Sequence, residues 1–338
     1  MRISADEALK NKRVNGGYSQ WNASPSSSVI STCPESASRR IFEEYAVLRP
    51  PAPPTKHESD SPVFTMGSCF AREIENAIIL HGGNVVSIDN VKIDRDEFKD
   101  INGKTRSGFF HRFTPRAMLQ EFMIAVDEIP GWDMEHSLIF FAGESCLDFN
   151  YWEAGLPRDA GSTLSRRKIA ADLVRNFKES SLIILTLGLN ESWVHKPTGL
   201  HCNRIDPKII HSRREDFELE ILGYEEVLTC LSGIYELIQR HHKSGDFQLV
   251  VTVSPVPMQT TFQSCDIIIA NELSKSTLRS AAGFFCSGIQ NVTYYPSYEM
   301  VRFTKPELAW RPDRVHVNKS MVQHIVRNFI DVYFNSKE

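Results

Sequence analysis

The chain has 338 residues, of which 41% are hydrophobic and 24% charged, a balance that excludes a disordered or fibrous protein and implies a real core. A net charge of -4, with Lys and Arg mixed among Asp and Glu, excludes the basic stripe that neutralises phosphates, so no nucleic-acid partner is expected. The length allows one large domain carrying an insertion, or two small ones.

The start, Met1-Arg2-Ile3-Ser4-Ala5-Asp6-Glu7, lacks the apolar stretch of a signal peptide, and no later run reaches the roughly 18 apolar residues of a membrane span. The expectation is a cytoplasmic protein. Seven cysteines without a CxxC pair indicate neither a disulfide framework nor a zinc site, and no metal or cofactor is expected.

Residues 1–60 are rich in Ser and Pro and end in Arg49-Pro50-Pro51-Ala52-Pro53-Pro54, a composition that favours extended structure. They read as an arm, lying on the domain or in part disordered, and the domain proper spans 61–335. From Pro62 onward short apolar runs alternate with amphipathic segments. A strand at 63–66 leads to a helix at 71–80, which Gly82 and Gly83 stop, and a strand follows at 84–88. Residues 89 to about 165 break the rhythm. Thr114-Pro115 opens a helix to Val126, and an aromatic stretch follows with Trp132, Phe140, Phe141, Phe149, Tyr151 and Trp152. This segment reads as an insertion over the sheet, its aromatics placed to stack on a sugar ring or to close a small core of their own. Strands are then expected at 182–187, 247–253 and 292–295, and helices at 224–241, 271–282 and 319–333. Five strands flanked by helices predict a three-layer α/β/α fold with a doubly wound, mainly parallel sheet.

In open α/β sheets ligands bind outside the carboxyl ends of the strands, so the strand-to-helix junctions are where chemistry is sought. The first reads Met66-Gly67-Ser68-Cys69-Phe70-Ala71, a glycine and two possible nucleophiles ahead of a helix. A nucleophile at a helix amino terminus gains from the dipole, and backbone N–H groups there stabilise an oxyanion. The plain alternative makes Ser68 a helix cap and Cys69 a small buried residue. At the second junction the apolar run ends in Gly188-Leu189-Asn190-Glu191. Asn190 suits an oxyanion donor and Gly188 a close backbone approach, whereas a plain turn explains them equally well. The third, Asp313-Arg314-Val315-His316, precedes the last helix and allows a carboxylate to orient an imidazole base. Glu191, Lys275 and His111 are further candidates for contact with substrate. For Lys275 the ordinary alternative is an exposed helix lysine, and for His111-Arg112 a surface basic pair.

Taken in order, these blocks carry a resemblance. Gly67-Ser68-Cys69-Phe70-Ala71 is the literal signature of the GSCFA family, and Thr186-Leu187-Gly188-Leu189, Thr252-Val253-Ser254-Pro255-Val256, Asn271 with Ser274-Lys275, and Tyr295-Pro296-Ser297-Tyr298-Glu299 look like its later blocks. That family resembles the SGNH hydrolases, the GDSL esterases and acetyltransferases. The resemblance implies a flavodoxin-like sheet, a nucleophile in the first block, Gly188 and Asn190 as oxyanion donors, and Asp313 and His316 completing a triad. Where the SGNH pattern reads Gly-Asp-Ser-Leu, the third position here is Cys69 and Ser68 takes the aspartate's place; a shift of one residue makes Ser68 the nucleophile instead. A thiol beside a helix amino terminus and a histidine is expected to have a lowered pKa. The implied activity is an ester hydrolase or O-acyltransferase working through an acyl-enzyme, on O-acetyl groups of a carbohydrate or polysaccharide, with a separate acyl donor in the transferase case. The rival reading is a non-catalytic glycan-binding or scaffold protein on the same fold.

Overall fold

The computed structural model describes residues 3–22, 31–41, 45–88, 110–129, 131, 133–140, 145–148, 158–203 and 205–335. At its centre is a five-stranded sheet of β1 (Pro62–Gly67), β2 (Asn84–Val85), β6 (Leu182–Leu187), β10 (Gln248–Val253) and β11 (Val292–Tyr294), every pairing parallel. Two three-stranded antiparallel sheets flank it. One joins β3 (Leu138–Phe140), β4 (Ser145–Asp148) and β5 (Arg158–Asp159), and the other β7 (Glu191–His195), β8 (Leu200–Cys202) and β9 (Phe217–Ile221). All residues of β6 and β10 are buried, which is why these strands read as continuous apolar runs.

The spatial order of the parallel sheet is β2-β1-β6-β10-β11. The strands are therefore added in opposite directions on the two sides of β1, β2 on one side and β6 onward on the other, and such a switch leaves a crevice beyond the strand ends. Gly67 closes β1 opposite Thr186 of β6, so the Gly-Ser-Cys turn emerges at this crevice.

Strand residues alternate between two cores. Phe64, Met66, Ile183, Leu185, Val251 and Val253 face helices α2 (Pro115–Ala125), α4 (Tyr224–His241) and α5 (Ile267–Ser287). Val63, Leu182, Ile184 and Val250 face α1 (Cys69–Leu80) and α6 (Lys319–Tyr333). The chain turns out of α1 at Gly82, whose φ of +79° suits glycine. The expected strand at 84–88 is shorter, pairing through β2 and then by one further bond from the Val86 N–H to the Val63 carbonyl.

The expected insertion is tied to the domain more closely than its sequence suggests. The Thr114 hydroxyl accepts from the Ala117 N–H to open α2, and Met118, Phe122 and Ala125 of that helix belong to the main core. Arg167, on α3 (Ala160–Val174), is wholly buried; it donates to Glu121 of α2 at 3.0 Å and to both Asp148 oxygens of β4 at 2.8 and 2.5 Å. Of the expected aromatic stretch, Phe140 ends β3, while Trp132, Phe141, Phe149, Tyr151 and Trp152 lie outside the described residues.

The later part of the arm is packed rather than loose. Ala46 is fully buried and its N–H donates to Thr304, while the His57 ring meets Gln248 at 2.9 Å and its N–H donates to Tyr333. No described helix is long and apolar enough to cross a membrane.

Candidate active site

Ser68 is the N-cap residue of α1, and Cys69 its first residue. A helix leaves its first N–H groups without internal partners, and here those of Phe70 and Cys69 itself act on the Cys69 sulfur. The two candidate nucleophiles differ sharply in access. Cys69 is partly exposed, whereas Ser68 is 3% exposed and its hydroxyl has no hydrogen-bond partner among the described residues. It does not cap the helix through its side chain.

Burial raises the Cys69 thiol above its ordinary value; the Phe70 N–H and the Lys275 charge pull the other way and are outweighed. This corrects the expectation of a lowered value. Desolvation of a thiolate in a mostly covered crevice exceeds what one helix terminus returns, so the resting group is the thiol and ionising it requires help.

Asp313 and His316 form the expected pair. His316 Nδ1 lies 2.7 Å from Asp313 Oδ2, while Asp313 Oδ1 accepts from the N–H groups of Val315 and His316. Those N–H groups and the ring hold the Asp313 carboxyl well below the usual carboxylate range. With Nδ1 engaged, Nε2 is left to exchange protons. Among the described residues no hydrogen bond joins His316 to Cys69. Phe70 and Val317, the residues following Cys69 and His316, share one apolar cluster, which sets the histidine loop and the nucleophile turn on the same side of the sheet.

The two expected oxyanion donors each have a bond within the fold. The Gly188 N–H donates to the Phe113 carbonyl at 3.0 Å, and Asn190 Nδ2 donates to the Leu222 carbonyl at 3.0 Å. Asn190 is buried, with its Oδ1 unpartnered and its N–H given to Ser274. Both residues brace the end of β6. The donors that act on the Cys69 sulfur are the first-turn N–H groups of α1.

Glu191 anchors a loop: its carboxylate accepts from the Thr261 hydroxyl at 2.5 Å, the Phe262 N–H at 3.1 Å and Gln263 Nε2 at 2.9 Å. His111 forms a bridge alongside Gly67, and the neighbouring Arg112 N–H donates to the Gly67 carbonyl at 2.7 Å. The 111–113 segment thereby laces the ends of β1 and β6 together. Arg112 is not a surface residue; it is buried, with Nε 3.4 Å from Glu121.

Lys275 departs furthest from the ordinary alternative. It is fully buried on α5, where Nζ donates to the carbonyls of Gly188 at 2.8 Å and Val256 at 2.7 Å. Neighbouring residues of the same block tie further strand ends: Asn271 accepts from the Met258 N–H, and Ser274 from the Asn190 N–H. Burial pushes Lys275 down to about 7. A lysine on a helix with apolar neighbours signals this placement only weakly. The buried Arg167 bridge went unanticipated for the same reason.

A five-stranded parallel sheet with a partly exposed thiol just past β1, a buried lysine bonded to carbonyls beyond β6 and β10, and an Asp–His pair on the loop before the last helix defines an α/β protein of the open-sheet class. The chain belongs to the GSCFA family, whose pattern it matches over residues 62–329. No curated protein matches it. Among the described residues no group of three or more His, Cys, Asp and Glu side chains is placed to hold a metal ion.

Proposed function

We propose that this protein is an acyl-transfer enzyme of SGNH-hydrolase type, an ester hydrolase or O-acyltransferase working through a thioester at Cys69. The observation that carries the reading is the contrast at the first junction. Of two adjacent nucleophiles only the Cys69 thiol is accessible, and it heads a helix on the same side as a histidine oriented by a carboxylate. The strand order, with its reversal beside β1, supports a flavodoxin-like sheet with the site at that reversal.

In this mechanism His316 Nε2 takes the thiol proton, and the Cys69 sulfur attacks the acyl carbonyl. The Phe70 N–H, at the helix terminus, stabilises the oxyanion. Collapse breaks the C–O bond, and His316 returns the proton to the departing alcohol. Water or an acceptor hydroxyl, deprotonated by the same ring, then attacks the thioester carbonyl, the C–S bond breaks, and His316 returns the proton to the Cys69 sulfur. Asp313 keeps the ring in the required tautomer. The family resemblance favours an O-acetyl ester of a carbohydrate as substrate.

A chromogenic acetyl ester, offered with and without a sugar acceptor, tests the reading. Acceptor-dependent turnover identifies a transferase, and hydrolysis alone an esterase. Absence of both, with no acetyl-Cys69 by mass spectrometry, overturns the proposal in favour of a binding protein.

A further inference from the structure

A lysine amine has one bond to carbon and three further tetrahedral positions. At Lys275 two of the three are spent on the carbonyls of Gly188 and Val256, and among the described residues no hydrogen bond fills the third. The amine is wholly buried and accepted only by neutral carbonyls, an unfavourable setting for a cation with no anion to hold. Its position relates it to the nucleophile. Gly188 lies against Ser68, since a Cβ on Gly188 would meet the Ser68 Cβ at 3.3 Å, so the amine is bonded to a residue packed on the turn that carries Cys69. The Cys69 and Lys275 charges act on one another. The Ser68 and Thr186 hydroxyls and Asn190 Oδ1, all buried near this strand end, likewise have no partner among the described residues, so polar capacity is concentrated there.

We propose that Lys275 is a positioning residue for Cys69: its ammonium, steered by two strand-end carbonyls, holds the Cys69 thiolate through the unspent N–H. The proposal rests on Cys69 being the nucleophile. The S–H bond breaks, the proton leaves to His316 in turnover or to solvent in the free protein, and the thiolate gains a buried counter-cation. Thiolate formation in turn draws the lysine back toward its charged form. The other groups acting on the pair are acidic: exposed Glu73 on α1, and Glu272 on α5, which is bonded to Arg302. Neither supplies the positive charge.

The test follows the rate of Cys69 alkylation by iodoacetamide against pH, located by mass spectrometry, in the full-length protein and in Lys275→Gln and Lys275→Met. Gln retains donors for the two carbonyls without the charge, so it separates bracing from electrostatics. Both variants are expected to move the inflection up by about one pH unit and to slow labelling at neutral pH about tenfold. An unchanged profile in a folded variant overturns the proposal. Should neither variant fold, the thiolate absorbance that the wild type loses in Cys69→Ala reports the same quantity. An inflection kept at the wild-type pH in Lys275→Arg, which retains the positive charge, supports the counter-cation, and one raised there by about a pH unit refutes it. Alkylation needs no acyl substrate, so a protein inactive on esters can still show the shift, and an active esterase can still lack it.

Discussion

Asp313 Oδ2 lies 2.7 Å from His316 Nδ1 on a loop where both side chains are about half exposed, at 48% and 50%. Such a pair contributes little to packing, so its removal should affect chemistry and spare the fold. His316→Ala is expected to reduce ester turnover by about 100 to 10,000-fold, with an unchanged unfolding midpoint. Asp313→Asn should lower turnover as well, because the ring then loses the acceptor that selects its tautomer. Near wild-type turnover in His316→Ala would remove the histidine from the mechanism.

Cys69→Ala should abolish acyl transfer. Ser68→Ala should reduce it by only about 10 to 1000-fold, the range for disturbing a group beside the oxyanion. Because the Ser68 hydroxyl is buried without a partner, its removal should leave stability unchanged or raise it by about 1 kcal/mol. Paired kinetic and urea-unfolding measurements check both halves, and an acyl group trapped on Ser68 would reverse the assignment.

Arg167 joins two buried carboxylates, Glu121 and Asp148. Arg167→Met leaves both without their shared partner and should cost about 3–5 kcal/mol in denaturant unfolding. A loss below about 1 kcal/mol would show that the bridge is not what ties α3 to α2 and β4.

Lys275 provides a pH signature of stability. Its folded value of about 7 lies below the 10.5 of a free lysine, so between these the unfolded chain holds a proton that the folded one has released. Stability is therefore penalised most below pH 7 and recovers as pH rises toward 10.5. The difference in unfolding free energy between Lys275→Met and the wild type should shift in the wild type's favour over that window, by on the order of a few kcal/mol. A pH-independent difference would mean that the lysine does not titrate in this range.

The arm should divide by burial. Residues 5–15 form a helix with no buried residue, so removing residues 1–22 should leave folding and turnover intact. His57→Ala, which takes away the ring that meets buried Gln248, should cost about 1–3 kcal/mol. Truncation through residue 60 should therefore yield little soluble protein, as expression and circular dichroism can show.

The sequence by itself determined the alternation of strand and helix and where the first junction lies. Leu182–Leu187 and Gln248–Val253 are mainly apolar because both faces of a parallel strand are covered, and Thr114-Pro115 opens a helix because the cap and the following φ are local properties. The Asp313–His316 pair was legible too, since three residues of one loop suffice to form it. Tertiary structure decided what depends on neighbours distant in sequence. Gly188 and Asn190 are engaged by Phe113 and Leu222, Arg167 reaches across 46 residues to Glu121, and Lys275 reaches across 87 to Gly188. The β7–β9 sheet went unread because its strands are short and carry charged residues such as Glu218 and Glu220. The Cys69 thiol shows the division most clearly. Its place at a helix amino terminus is local and pulls its ionisation down, but how much water the folded chain excludes from it is not written in its neighbours in sequence, and that desolvation is the larger effect.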